Sequence, residues 1–174
     1  MSASRNLRWV NTLTYKNARI QMYPRAYTKH RLERHCTEAL CIPPVLIEGA
    51  IAEAQRRGVP SVVDPKHREL ARYRGAGVVT PNRAEAEVAA GVSLRELNTL
   101  QERGEKLRAE AGVEALLITL GPEGMFLLDG GQAGMHLPTA ARQVYDVTGA
   151  GDTVVAMLAV ARGGGASLED SVRL

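Results

Sequence analysis

Cysteine, aromatic residues and long apolar runs are all scarce in this chain. Cys36 and Cys41 are its two cysteines, too few for a disulfide framework. No apolar stretch approaches the roughly 18 residues that a membrane-spanning helix requires. The N-terminus lacks the apolar core of a secretory signal, so the expected location is the cytoplasm. His30, His35, Cys36 and Cys41 fall near one another, but their spacing fits no standard zinc pattern. Residues 1–44 show no sustained period of 2 or 3.6 and so yield no element. They are also short of acids: eight Lys or Arg stand against Glu33 and Glu38, a net of +6 that leaves −3 for residues 45–174. Trp9, Tyr15, Tyr23 and Tyr27 interleave with those cations. Such a pattern can bind single-stranded nucleic acid through phosphate contacts and base stacking. The reading taken is a basic extension without a continuous apolar face, with neither nucleic acid nor membrane as partner.

The rest is patterned differently. With 174 residues, 45% hydrophobic and 24% charged, the chain can build a buried core and reads as soluble and globular. Val45–Arg57 has helical composition and stops at Gly58. Ser61–Asp64 and Val78–Thr80 are short buried-strand runs closed by Pro65 and Pro81. Arg83–Ala90 reads as a short helix ended by Gly91. Ser93 and Glu96 form an expected capping box for a long helix reaching about Ala111. Glu114–Leu120 is an apolar strand, and Met125–Asp129, Gly130-Gly131 and Met135–Leu137 read as a hairpin. A helix starts near Gly149 and runs to about Arg162, and Ser167 with Asp170 begins another. Strands alternating with helices imply an α/β fold with a mostly parallel sheet covered on both faces. In such sheets ligands bind beyond the C-terminal strand ends, and the polar motifs fall at those ends.

Three motifs carry candidate chemistry. In Asp146-Val-Thr-Gly-Ala-Gly-Asp152-Thr153, Gly149, Ala150 and Gly151 put small residues where a loop becomes a helix. Bare N–H groups and the helix dipole there suit a phosphate or developing phosphoryl anion. Asp152 in the first turn can accept a proton from an attacking hydroxyl. The same residues also read as a Gly-rich turn with Asp152 as an ordinary helix-start residue. In Thr80-Pro-Asn-Arg-Ala-Glu85, Asn82 can donate to a phosphate and Glu85 can hold a magnesium-bound water. Plain capping, with Asn82 as N-cap and Glu85 as its N3 partner, is the alternative. In Thr119-Leu-Gly121-Pro-Glu-Gly124, Thr119 can reach a nucleotide phosphate and Gly121 permits close backbone approach, or the segment is a turn between two strands. Asp64-Pro-Lys66 ends another strand, with Asp64 either functional or capping the loop.

These motifs, in this order on successive strand ends, resemble the C-terminal part of the ribokinase-like (PfkB-type) carbohydrate kinases from about Val45 to Leu174. Within that family, VVDPKHRELARYRGAGVVTPNRAEAE and HLPTAARQVYDVTGAGDTVVAMLAVARGGGASLEDSV resemble the D-glycero-β-D-manno-heptose 7-phosphate kinases. The resemblance implies a ribokinase-like sandwich, ATP and magnesium as cofactors, and phosphorylation of a heptose 7-phosphate at C1 toward ADP-heptose and the lipopolysaccharide core. It implies Asp152 as base and Gly149, Ala150 and Gly151 as anion hole. It also implies Asn82, Arg83, Ala84 and Glu85 as the nucleotide and magnesium segment, with Thr119, Gly121 and Gly124 along the ATP phosphates and ribose. Asp146 and Thr148 would lie at the potassium site of many relatives. A homodimer is left open. The family has a further N-terminal half with the sugar site and lid, which residues 1–44 do not resemble. The expectation is therefore a fragment, with a basic extension over 1–44 and the C-terminal part of a kinase domain over 45–174. Other sugar or nucleoside kinases of the same fold, and a non-catalytic nucleotide-binding remnant, stand as alternatives.

Overall fold

The computed structural model describes residues 12–15, 18–21, 42–131, 133–139 and 150–173. The chain divides into two units, Met1–Leu46 and Ile47–Leu174. In the first, β1 (Thr12–Tyr15) and β2 (Ala18–Gln21) pair antiparallel, Thr12 opposite Gln21 and Tyr15 opposite Ala18. The sequence reading assigned no element there.

The second unit is built on a five-stranded sheet in the order β3 (Val62–Val63), β4 (Val78–Val79), β5 (Ala115–Thr119), β6 (Met125–Leu128) and β7 (Met135–Leu137). β3, β4 and β5 are parallel; β5, β6 and β7 are antiparallel. The expected α/β architecture is present, with the parallel part confined to three strands and the hairpin adding two more. Five helices accompany the described strands: α1 (Pro44–Arg57), α2 (Arg83–Ala90), α3 (Leu97–Ala111), α4 (Ala150–Gly163) and α5 (Leu168–Val172).

The central strand β5, Ala-Leu-Leu-Ile-Thr, is apolar on both faces because both faces are covered. Its alternation sorts two cores. Leu116 and Ile118 join Val79, Phe126 and Leu128 under Ile51 of α1, Ala86 of α2 and Leu100, Leu107 and Ala111 of α3. Ala115 and Leu117 join Val78 and Leu127 under Leu158 of α4 and Val172 of α5. Burial of each such leucine contributes about 1.5–3 kcal/mol, so the sheet is clamped from both sides. Gly104 lets α3 approach closely: a Cβ built there would stand 2.5 Å from Leu128 Cδ1.

One expected cap is corrected. The start of α3 is Glu96, whose side chain makes no capping bond. Ser93 Oγ instead donates to Glu87 Oε1 at 3.1 Å, and the Leu94 N–H donates to the same oxygen at 2.8 Å. A carboxylate from the last turn of α2 thus engages the Ser93 hydroxyl and the next backbone N–H, in place of the Ser93–Glu96 box. These bonds hold the Glu87 carboxyl below its ordinary range, the Leu94 N–H foremost and the Ser93 hydroxyl after it. At α5 the expected cap is present, with Ser167 Oγ accepting from the Asp170 N–H at 3.0 Å.

Candidate functional site

Because β3, β4 and β5 run parallel, their C-terminal ends open on one edge of the sheet. Asp64 follows β3, Thr80 and Asn82 follow β4, and Thr119 ends β5. The first turn of α4 brings Gly151 and Asp152 to the same edge. Together with Lys66 and Glu85, these residues line a cavity of about 170 Å³. That is below the roughly 300–1,000 Å³ of whole-ligand pockets, and suits a phosphoryl group with its counter-ion.

The local structure fixes each wall. Thr119 donates its N–H to Pro81 O at 3.0 Å, and Asn82 pairs with Thr119 as an isolated parallel bridge. The Asn82–Glu85 capping box is complete. Asn82 Oδ1 accepts from the Glu85 N–H at 2.9 Å, and Glu85 Oε2 accepts from the Asn82 N–H at 2.9 Å. The capping and functional readings of this motif are therefore compatible: the cap orients two side chains that also line the cavity. Thr80 is buried, with its hydroxyl donating to Val63 O at 3.2 Å. Lys66 Nζ meets Asp64 Oδ2 at 2.5 Å, and the Lys66 N–H donates to the buried Tyr73 hydroxyl at 3.1 Å. The hydrogen bond to Asp64 raises the Lys66 pKa above its ordinary value. The charges of Asp64, Glu85 and Asp152 act in the same direction, and partial burial opposes them.

The remaining candidates fall elsewhere. Arg83 is turned away into a two-pronged pair with Glu123, at 2.8 and 2.7 Å, which ties the start of α2 to the turn after β5. That guanidinium holds the Glu123 carboxyl below its ordinary range. Ala84 lines a neighbouring hollow of about 250 Å³ with Pro65, His67, Arg68 and Val88, where Lys66 and Glu85 are shared. Gly121 and Gly124 belong to the tight turn between β5 and β6 and do not line the cavity. Gly124 has a packing requirement of its own. Its φ is 96°, and a Cβ there would stand 2.0 Å from Leu137 O of the adjacent strand. Ala150 opens α4. Asp146, Thr148 and Gly149 lie outside the described residues. Lys66 and Thr80 were not singled out from the sequence. The signal for Lys66 was a cation three residues beyond the last position, Val63, of a parallel strand.

Among the described residues no three His, Cys, Asp or Glu side chains converge as a metal cage. A magnesium ion at this site would take its ligands from phosphate oxygens and water, the arrangement magnesium favours. The Glu85 Oε1 atom is not used by the capping box and suits a magnesium-bound water.

Residues 40–174 match the model of the pfkB family carbohydrate kinases. The chain belongs to this family. The bifunctional protein HldE of Geobacter sulfurreducens is 51% identical over 134 residues, covering 76% of this chain and 27% of that protein. The chain thus spans about a quarter of the length of the curated relatives it matches. Among solved structures, Arabidopsis thaliana ribokinase complexed with ribose and ATP is similar with a TM-score of 0.67 and 27% identity. That match covers 76% of this chain and 44% of the ribokinase. Phosphofructokinase-2 from Escherichia coli in complex with fructose-6-phosphate has a TM-score of 0.63 at 21% identity, covering 76% and 44%, and shows the shared fold. Among the described residues no helix is long and apolar enough to cross a membrane.

Proposed function

We propose that residues 45–174 carry the phosphate-binding and phosphoryl-transfer part of a cytoplasmic, ATP-dependent kinase acting on D-glycero-β-D-manno-heptose 7-phosphate at C1, with residues 1–44 as a separate basic extension. One observation carries the reading. Asn82, Glu85, Thr119 and Asp152, drawn from three motifs far apart in sequence, line one cavity at the C-terminal edge of the parallel strands. The 51% identity to the HldE relative supports the heptose substrate, and the likeness to a ribokinase solved with ATP supports the nucleotide.

In this reading the acceptor hydroxyl oxygen attacks the γ-phosphorus, the bond to the ADP oxygen breaks, and the hydroxyl proton passes to Asp152. Asp152 lies in the first turn of α4, where the N–H groups of Gly149, Ala150 and Gly151 would face the transferred group. Asn82 and Thr119 would hold phosphate oxygens, and Glu85 would hold a magnesium ion through water. When bound, magnesium offsets the charge that develops on the phosphate oxygens. Asp146 and Thr148 would hold potassium.

The test is a chimera in which residues 40–174 replace the matching segment of the G. sulfurreducens relative, assayed for ATP consumption with the heptose 7-phosphate. Turnover in the range of about 1–100 per second is expected. A chimera that folds and binds Mg·ATP yet transfers no phosphate to the heptose overturns the reading.

A further inference from the structure

We propose that Lys66 is the cation that meets the phosphate chain in this cavity, exchanging its Asp64 partner for the γ-phosphoryl group of the nucleotide. The assignment rests on the phosphoryl-transfer reading above.

Charge gives the first argument. The described walls of the cavity bear three carboxylates, from Asp64, Glu85 and Asp152, and a single cation, Lys66. A polyphosphate is repelled by such a wall unless a positive group stands among the carboxylates. Lys66 does so: the charges of Glu85 and Asp152, besides that of Asp64, stabilise its ammonium form. It therefore stays protonated at neutral pH. Arg83 is the nearby alternative, but both prongs of its guanidinium are committed to Glu123.

Mobility gives the second. The base of Lys66 is fixed, because Pro65 before it is buried and its own N–H is bonded to the Tyr73 hydroxyl at 3.1 Å. Its head is free to move, since the side chain is 78% exposed and bears four rotatable methylenes. A terminal phosphate carries more charge than a carboxylate and offers three oxygens, so it competes well for an exposed ammonium. Asp64 is 30% exposed at the fixed end of β3, and in the absence of nucleotide it keeps the ammonium at the mouth of the cavity. The competing view is an ordinary surface ion pair, which contributes about 0–1 kcal/mol and does nothing else.

The experiment titrates the 174-residue chain with Mg·ATP and Mg·ADP, followed by phosphorus NMR, for the unaltered chain, Lys66→Met, Lys66→Gln, Lys66→Arg and Asp64→Asn. Thermal melts check that each variant folds. Loss of one charge-assisted contact should weaken Mg·ATP binding by at least about tenfold in both neutral variants. Mg·ADP, which lacks the γ-phosphate, should change by less than about threefold. Lys66→Arg should recover part of the loss, and Asp64→Asn should bind Mg·ATP at least as well as the unaltered chain. Neutral variants with unchanged Mg·ATP affinity, or with equal losses for ATP and ADP, overturn this proposal and leave the nucleotide site standing. Absence of Mg·ATP binding by the unaltered chain overturns the nucleotide site itself, and this proposal with it.

Discussion

Asp152 and Glu85 show how far a single residue can be read. Each had an ordinary reading, as a helix-start residue and as a capping partner, and each also lines the cavity. Mutation can separate the roles. In the chimera, Asp152→Asn keeps the size of the side chain and removes its basicity, so turnover should fall by at least about a hundredfold while Mg·ATP binding persists. A loss smaller than about tenfold would take Asp152 out of the base role. At Glu85 the substitution to Gln preserves the capping box, because a Gln side chain can also accept from the Asn82 N–H. Thermal stability should then change little, while the magnesium concentration needed for half-maximal turnover of the chimera should rise. Asn82→Ala should behave differently, with about 1 kcal/mol of stability lost along with the cap. Gly124 was legible as a turn glycine. Its conflict with Leu137 O became visible only once β6 and β7 had been paired.

At the scale of elements, local pattern served well wherever the determinants are local. α2 begins at Arg83 and ends at Ala90 as read, because Asn82 caps it and Gly91 stops it at φ 68°. The start of α3 was misread because its organising group, Glu87, belongs to another helix. The approach of α3 to β6 is likewise non-local. Gly104→Val would place carbon against Leu128 in a filled core, and should cost about 2 kcal/mol or more in chemical denaturation. α1 ends in an exposed cluster in which Glu53 pairs with Arg56 and Arg57. Hydrogen bonds from Arg56 first, and from Arg57 next, lower the Glu53 pKa from 4.5 to about 2. A carboxyl depressed on folding contributes stability above about pH 4.5 that is lost as the pH falls toward 2. Because the cluster is exposed and screened by solvent, Glu53→Gln should be only slightly less stable than the unaltered chain near neutral pH. The two acid-unfolding curves should converge by about pH 2; parallel curves would exclude a role for this cluster.

Across the whole second unit, the two cores tie stability to the site. α4 bears Asp152 at its first turn and packs against β3 and α5. Its well-buried side chain is Leu158, 1% exposed, in the core with Leu117 and Val172. Leu158→Ala should cost about 2–5 kcal/mol, a large part of the roughly 5–15 kcal/mol typical of a domain. It should also weaken Mg·ATP binding, because the helix start would lose its fixed place at the strand ends. Loss of stability with unchanged binding would show that α4 is held by other contacts.

The sequence by itself determined the helices of the second unit apart from the start of α3, its strands to within a residue or two, the turn after β5 and the three motifs at strand ends. These depend on period, capping chemistry and glycine stops, all local in the chain. Tertiary structure decided which of the motif residues share a cavity. It set Lys66 and Asp64 beside Glu85 and Asp152, turned Arg83 away to Glu123, and gave Gly104 and Gly124 packing duties. The physical reason is that parallel pairing joins residues tens of positions apart, Val62 with Val78 and Val78 with Ala115. Only that register determines which side chains meet at the open edge of the sheet.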